Sequence, residues 1–136
     1  MSETPGGIVA TAAVTMGATR YAVDVTTGHH RFVADEPKGG GGADAGPSPF
    51  DLLLSSLGAC TAITLRMYAE RKGWPLATIE VRLTYRWEGE TPQIERVLTL
   101  AGLDDAQRAR CAEIAEKTPV TRALKRGADI RTTLHV

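Results

Sequence analysis

The chain has 136 residues, 16 basic and 16 acidic side chains with no net charge, and two cysteines, Cys60 and Cys111. This length predicts a single domain, 1–136, and a composition of 43% hydrophobic and 24% charged residues excludes a disordered or fibrous chain. The balanced charge argues against general nucleic-acid binding, which relies on a basic surface. Two cysteines are too few for a disulfide framework or a four-cysteine zinc site, so a redox pair and two unrelated buried thiols remain as alternatives.

The N-terminal part of the chain is rich in strand-forming residues. Residues 8–15, 21–25 and 30–34 predict three strands separated by glycine-containing turns. The first residues lack a basic region followed by a continuous apolar run, so we expect no signal peptide and a cytoplasmic protein. A glycine-rich loop over 35–47 then connects these strands to a helix.

A long apolar helix begins after Ser48. Ser48 is a favourable N-cap, Pro49 fits the first helical position, and Asp51 stands at the capping-box position. The helix should end before Gly73, and its first two thirds are small or apolar on every face, which predicts burial on every face. The rest of the chain offers little to surround it, so we expect a homodimer. Its apolar run is about 14 residues long, short of the ~20 that span a bilayer, so we expect no membrane association.

A hairpin, two short helices and a final strand complete the predicted order. Residues 79–87 alternate apolar and polar with a period of two, and together with a shorter strand over 95–100 they predict a hairpin over about 77–101. Residues typical of helix caps and helix ends predict helices over 104–117 and 119–126. Residues 130–136 predict a closing strand. Hairpins combined with segregated helices indicate the α+β class rather than a doubly wound α/β sheet.

The histidines and serines form no recognisable site. His29 and His30 are adjacent and would point to opposite faces of a strand, and His135 is distant in sequence, so we expect no metal and no cofactor. The glycine-rich loop lacks the lysine and hydroxyl residue of a phosphate-binding loop. Ser55 and Ser56 lack the sequence context of a catalytic serine and should bond to their own helix.

Cys60 is the candidate nucleophile, and a small buried core residue is the alternative. A reactive cysteine needs a cation or a hydrogen-bond donor nearby, because the thiolate is the nucleophile. Arg66 is on the same helix but out of phase with Cys60, which leaves Arg20, from the N-terminal strands, as the better donor. Cys111 lies on an inward-facing stripe of the later helix, so we expect it to be structural.

Two motifs resemble the OsmC/Ohr family, the osmotically inducible and organic-hydroperoxide-resistance proteins. Residues 35–76 contain D-E-P, G-G-G-G, G-P-S-P and L-G-A-C-T-A, and they are most similar to the OsmC-like branch. Residues 114–124, I-A-E-K-T-P-V-T-R-A-L, resemble the second motif in altered form. The resemblance implies an α+β OsmC-like fold, with N-terminal β-hairpin strands, a long buried central helix, a second hairpin, C-terminal helices and a closing strand. It also implies an intertwined homodimer with active sites at the interface.

The resemblance further implies thiol peroxidase chemistry at Cys60. Cys60 would attack a small hydrophobic organic hydroperoxide and become a sulfenic acid, which a second-motif cysteine would convert to a disulfide. A family arginine and an acidic residue would hold the thiolate and the peroxide, and Arg20 and Asp51 are the nearest matches. The second motif has Thr118 at the resolving cysteine and Thr121 at the histidine, and threonine cannot form a disulfide.

Cys111 is a poor substitute for the missing cysteine. It stands seven residues before position 118, about 10.5 Å along a helix, whereas the Cα atoms of a disulfide lie about 4.4–6.8 Å apart. We therefore expect a one-cysteine peroxidase whose Cys60 sulfenic acid is reduced by an external thiol. The alternative is a catalytically weak binding or redox-sensing protein with a hydrophobic pocket at the dimer interface.

Overall fold

The computed structural model describes residues 7–135, which fall into two compact units. One unit contains residues 57–84 and 94–135, and the other contains 7–56 and 85–93. The elements are, in order, β1 (Ala13–Met16), β2 (Val23–Thr27), β3 (His30–Ala34), a 3-10 turn (Lys38–Gly40), α1 (Pro49–Lys72), β4 (Thr78–Glu88), β5 (Thr91–Ala101), α2 (Asp105–Ala115) and α3 (Pro119–Arg126). This order confirms the predicted α+β class, while the assignment of one domain stays a prediction.

The N-terminal strands form an antiparallel sheet in the order β1-β2-β3. Val25 is the buried residue of the central strand, and it pairs with Val14 on one side and with Phe32 on the other. All three predicted strands are present. The first is shorter than predicted, because residues 8–12 are exposed and lie outside the ladder.

One buried carboxylate organises the loop that leads into α1. Asp35 accepts hydrogen bonds from the backbone N–H groups of Glu36 at 2.7 Å, Ala43 at 3.2 Å and Ala45 at 3.1 Å. The bond from Ala45, followed by those from Glu36 and Ala43, holds the pKa of Asp35 below its usual value. Gly46 approaches the preceding strand so closely that a Cβ there would lie 1.9 Å from the carbonyl oxygen of Val33. The loop is therefore a defined structure.

Helix α1 begins and ends where the sequence predicts. The Ser48 N–H donates to Asp51 Oδ2 at 2.9 Å, and the Asp51 N–H donates to Ser48 Oγ at 3.2 Å, which completes a capping box. Both the backbone and the side chain of Ser48 lower the pKa of Asp51. At the other end, Gly73 adopts φ 69°, and the Trp74 N–H bonds back to the Ala69 carbonyl at 2.8 Å.

Within one chain, α1 is buried on one side only. Its buried residues are Leu57, Cys60, Thr61, Leu65, Tyr68 and Ala69. Ile63 and Met67, on other faces of the helix, are 45% and 48% exposed. The sequence predicts burial of this helix on every face. Within one chain, however, an apolar face of α1 stays in contact with solvent.

The length of α1 also bears on the membrane question. Among the described residues α1 alone has the 24-residue length and the hydropathy that could match a membrane span. The continuous apolar run that the sequence shows is shorter than α1, because the helix extends beyond the run at both ends. The core helix of a water-soluble protein meets the same two criteria, so they do not by themselves indicate a membrane protein.

The C-terminal elements pack a hydrophobic core. Strands β4 and β5 pair as a hairpin over 78–101, close to the predicted 77–101, with Gly89 at φ 61° in its turn. Both strands extend further into the turn than predicted. A capping box between Asp104 and Gln107 starts α2, as predicted. The core cluster contains residues of α1, β5, α2 and the two connections between these helices and the hairpin, namely Leu65, Ala69, Leu76, Leu100, Leu103 and Cys111.

The predicted closing strand is wrong over the described residues. Residues 127–135 have no regular secondary structure, and residue 136 lies outside the described part of the chain. Ile130 and Leu134 are 86% and 88% exposed. Alternating apolar residues form a strand only when a partner edge takes up their backbone groups, and within residues 7–135 none pairs with this segment.

Candidate active site

Cys60 lies in the middle of α1 with its sulfur against the start of α3. The residue is 2% exposed, and its Sγ accepts the backbone N–H of Val120 at 3.5 Å. Val120 is in the first turn of α3, where Thr118 is the N-cap and Pro119 opens the helix. First-turn N–H groups carry a partial positive charge, and a thiolate at such a position is stabilised. The sulfur of Cys60 therefore lies against a backbone donor at the N-terminal end of a helix.

Two threonines form the cap of α3. Thr118 Oγ1 accepts the Thr121 N–H at 3.3 Å, and the two hydroxyl oxygens lie 2.6 Å apart. Both side chains are buried. The residues that stand where the family motif has cysteine and histidine are thus fully engaged with one another and with the helix end.

A partly buried arginine, absent from the sequence-based candidates, lies beside these threonines. Arg96, on β5, donates from Nη1 to Thr61 Oγ1 at 3.0 Å and to Thr121 Oγ1 at 2.9 Å. Its Nη2 donates to the Ala115 carbonyl at 2.9 Å and to Glu116 Oε2 at 2.8 Å. The Arg96 side chain is 12% exposed. A cation thus lies next to the residue that follows Cys60.

A sequence signal for Arg96 existed. Along β5 the half-buried and buried positions alternate as Ile94, Arg96, Leu98 and Leu100, so the arginine occupies the inward face of the strand. A charged residue on an apolar strand face needs partners, because an unpaired buried charge is costly. The partners themselves come from three helices and could not be read from local spacing.

Arg20 and Asp51, the predicted helpers of Cys60, belong to the other compact unit. The guanidinium carbon of Arg20 lies 5.0 Å from the centre of the Tyr21 ring, and the side chain is at the surface. Asp51 is engaged in the capping box of α1. Their roles at Cys60 stay predictions.

Cys111 lies in a different environment from Cys60. It is fully buried in α2 as part of the hydrophobic core cluster, with Leu65, Leu100 and Leu103 in the same cluster. Burial raises the pKa of the Cys111 thiol, because an apolar surrounding disfavours the thiolate. No disulfide joins the two described cysteines.

A cavity of about 680 Å³ adjoins the arginine network. Its walls are mostly apolar side chains of β5, α2 and α3, with three charged residues, Arg96, Glu116 and Lys125. Leu57, one turn before Cys60 on α1, and Thr121 also line it. This volume is in the usual range for small-molecule sites.

Metal-ligating side chains do not cluster in the described part of the chain. Residues 7–135 contain no group of three or more His, Cys, Asp or Glu that could hold a metal ion. His29 and His30 have ring centres 4.1 Å apart at the turn into β3, and no third ligand joins them.

Comparisons with known proteins agree on one family. Three solved structures share the fold: a Psychrobacter arcticus protein named for an osmotic stress and detoxification response (19% identity, 88% of this chain and 91% of the other, TM-score 0.73), the organic hydroperoxide resistance protein OsmC of Legionella pneumophila (20%, 87% and 90%, TM-score 0.60) and OhrB of Bacillus subtilis (19%, 87% and 91%, TM-score 0.63). No curated protein sequence matches the chain. The family model for OsmC-like proteins matches residues 40–133, and the chain therefore belongs to the OsmC-like family.

Proposed function

We propose that the protein is a thiol peroxidase that reduces small hydrophobic organic hydroperoxides through Cys60. The observation that carries the proposal is the placement of the Cys60 sulfur at the first turn of α3, 3.5 Å from the Val120 N–H. The Arg96 cation, bonded to Thr61 and Thr121, adds positive charge near the same place. Two fold relatives are organic hydroperoxide resistance proteins.

The proposed reaction has two stages. The Cys60 thiolate attacks the terminal oxygen of the hydroperoxide ROOH, so an S–O bond forms, the O–O bond breaks, and the alkoxide leaves as the alcohol after taking a proton. Cys60 is then a sulfenic acid. One external thiol displaces water to give a mixed disulfide, and a second thiol releases Cys60 and leaves as the oxidised disulfide.

A one-cysteine cycle fits the surroundings of Cys60. Position 118 holds a threonine whose hydroxyl caps α3. Cys111 belongs to the hydrophobic core cluster, and we propose that it is structural. An external thiol is therefore needed to reduce the sulfenic acid.

Cys60 is 2% exposed, so we propose that the peroxide approaches it from the cavity beside Arg96, whose wall includes Leu57, one turn before Cys60. The cavity beside Arg96 would accommodate the apolar part of the substrate. We also propose, from the family resemblance, that Arg20 and Asp51 help to hold the thiolate and the peroxide.

The proposed assembly is a homodimer in the cytoplasm. The apolar residues of α1 that one chain leaves exposed, Ile63 and Met67, support a second copy that covers them. The cytoplasm keeps thiols reduced, as this cycle requires. The balanced charge of the chain offers no support for a nucleic-acid partner. Sedimentation equilibrium should give twice the chain mass, and Met67→Asp should shift the protein towards monomer.

Peroxide consumption tests the activity. Wild type, Cys60→Ser and the matched control Cys111→Ser are supplied with cumene or t-butyl hydroperoxide and with a monothiol or a dithiol. Wild type and Cys111→Ser should consume the peroxide, and Cys60→Ser should lose at least about 100-fold in rate, because the remaining cysteine, Cys111, is buried in the hydrophobic core cluster. Equal rates in all three proteins would refute the proposal.

Product mapping tests the one-cysteine cycle separately. After one equivalent of hydroperoxide without thiol, mass spectrometry should find one added oxygen on Cys60. A 60–111 disulfide in high yield would contradict the one-cysteine cycle.

A binding or redox-sensing protein is the second candidate. The cavity of about 680 Å³ and the two threonines in the second motif favour it. A sensor would be oxidised once at Cys60 and would show no thiol-dependent turnover. The peroxide assay with several thiols separates the two candidates.

A further inference from the structure

Arg96 connects one strand to all three helices of its unit. Its guanidinium reaches Thr61 on α1, the C-terminal carbonyl of α2 at Ala115, and Thr121 on α3. Four donated bonds from a side chain that is 12% exposed fix the planar group in one orientation. The three helix segments are therefore held at a common point.

The hydroxyl protons around Arg96 have one consistent arrangement. The Thr61 hydroxyl donates to the Leu57 carbonyl at 2.7 Å and accepts from Arg96. The Thr121 hydroxyl donates to the Ala115 carbonyl at 3.1 Å, so Thr118 must donate to Thr121 across their 2.6 Å contact. Every hydroxyl in the network then has both a donor and an acceptor role, as a buried network requires.

The two threonines flank the contact at the sulfur. Thr61 directly follows Cys60, and Thr121 directly follows Val120, whose N–H meets Cys60 Sγ. A single guanidinium nitrogen, Nη1, thus bonds the neighbours of both partners in that contact. Without Arg96, the helix segments at Cys60 and Val120 lose the group that joins them.

We propose that Arg96 is a positioning residue for Cys60, which acts through Thr61 and Thr121 to hold the first turn of α3 against the sulfur. The proposal rests on the proposed function of Cys60 as a thiolate nucleophile. The effect of Arg96 on Cys60 comes from the placement of the Val120 N–H and from its own charge.

Glu116 opposes the charge of Arg96. The charged groups that line the cavity at this network are Arg96 from β5, Glu116 after α2 and Lys125 from α3. Glu116 lies 2.8 Å from Arg96 Nη2 and 3.6 Å from Lys125 Nζ, and its side chain is 59% exposed. Removing the carboxylate should leave more uncompensated positive charge near Cys60, so the thiolate should form at lower pH. Arg96 and Glu116 variants should therefore act in opposite directions.

Alkylation of Cys60 as a function of pH tests the proposal without any peroxidase turnover. Iodoacetamide is reacted with the full chain, and modification of Cys60 is followed by peptide mass spectrometry. Arg96→Met should raise the pH midpoint of alkylation by about one unit, a tenfold slower reaction at neutral pH. Arg96→Lys, which keeps the charge but loses the fork of donors, should recover part of the shift. Glu116→Gln should lower the midpoint by a fraction of a unit.

The matched control is Arg82→Met. Arg82 is an arginine on a strand of the same unit, exposed and paired with Glu80. It should leave the midpoint unchanged. If Arg96→Met lowers the melting temperature but keeps the wild-type midpoint, Arg96 is only structural and the proposal is overturned. If Arg96→Met does not fold, an unchanged or raised midpoint in Glu116→Gln overturns it. If the variants show the predicted shifts but the wild type shows no peroxide turnover, the proposed function is refuted and the positioning role stands.

Discussion

The two cysteines are equally hidden from solvent and have opposite surroundings. Cys60 is 2% exposed and Cys111 is 0% exposed. Cys60 meets a backbone N–H of a helix start, with Arg96 bonded to the residue that follows it. Cys111 belongs to a cluster of leucine and alanine side chains.

This contrast shows that burial alone does not decide what a thiol can do. Removal from water disfavours a thiolate wherever it occurs, and it raises the pKa of Cys111. Donors and a cation near the sulfur act against that cost. The neighbours of the two cysteines, rather than their depth, distinguish the proposed nucleophile from the cysteine of the hydrophobic core.

The largest expected effect comes from restoring a cysteine at position 118. Thr118 is two residues before Val120, whose N–H lies 3.5 Å from Cys60 Sγ. After one equivalent of cumene hydroperoxide, Thr118→Cys should form a 60–118 disulfide in near-stoichiometric yield, whereas wild type forms none. The substitution replaces an N-cap and should cost about 1 kcal/mol of stability. Thr118→Ser is the control that keeps the cap. A sulfenic acid that persists on Cys60 in Thr118→Cys would contradict the geometry.

Direct alkylation compares the two thiols in one protein. In native wild type at pH 8, iodoacetamide should modify Cys60 at least about 100-fold faster than Cys111, because reaction at Cys111 requires opening of the core. Peptide mass spectrometry over time gives both rates. Similar rates would show that the two environments are equivalent.

Substitution of Cys111 should cost stability rather than activity. Cys111→Ser places a hydroxyl in the hydrophobic cluster and should lower the free energy of unfolding by about 1–3 kcal/mol. Cys111→Ala leaves only a small space and should cost about 1 kcal/mol. Urea unfolding measures both. If Cys111→Ser is more stable than Cys111→Ala, the cluster is more polar than its residues indicate.

The smallest expected effect is a loss of stability at alkaline pH. Burial raises the pKa of folded Cys111, while an unfolded cysteine titrates near about 8.5. The contribution of the neutral Cys111 thiol to the free energy of unfolding is thus fully present below about pH 8.5. It is lost as pH rises towards the folded pKa, by at most about 1.4 kcal/mol per pH unit. Urea unfolding between pH 7 and 10 should show this loss in wild type and a smaller one in Cys111→Ala. Parallel curves would rule it out.

Local signals in the sequence predicted the elements of the fold well. The Ser48 and Asp104 capping boxes, Pro49, Gly73 and the alternation in β4 each depend on residues a few positions apart, and the structure shows all of them. The closing strand failed because strand formation depends on a partner edge that a sequence pattern does not supply. The solvent-facing side of α1 depends likewise on what surrounds the helix.

The candidate site was predictable only in part. Cys60 was found through its motif, and the structure adds the donor at its sulfur. Arg96 was missed, because its partners Thr61, Ala115 and Thr121 are separated from it by 35, 19 and 25 residues. Such a cluster forms only when the chain is folded, so no local spacing of residues predicts it.

The carboxylate of Asp35 has a consequence for how the protein meets proteases. Four consecutive glycines, 39–42, have the composition of a flexible linker, which is the usual site of nicking. Asp35 anchors the backbone at 43 and 45, and the Asp35 N–H also bonds to the Pro47 carbonyl at 3.1 Å. A protease requires an extended stretch of backbone, and this loop would have to break those bonds to provide one. The glycine-rich segment before α1 is therefore held in place by these hydrogen bonds. Resistance to cleavage there indicates that the native start of the helix has formed.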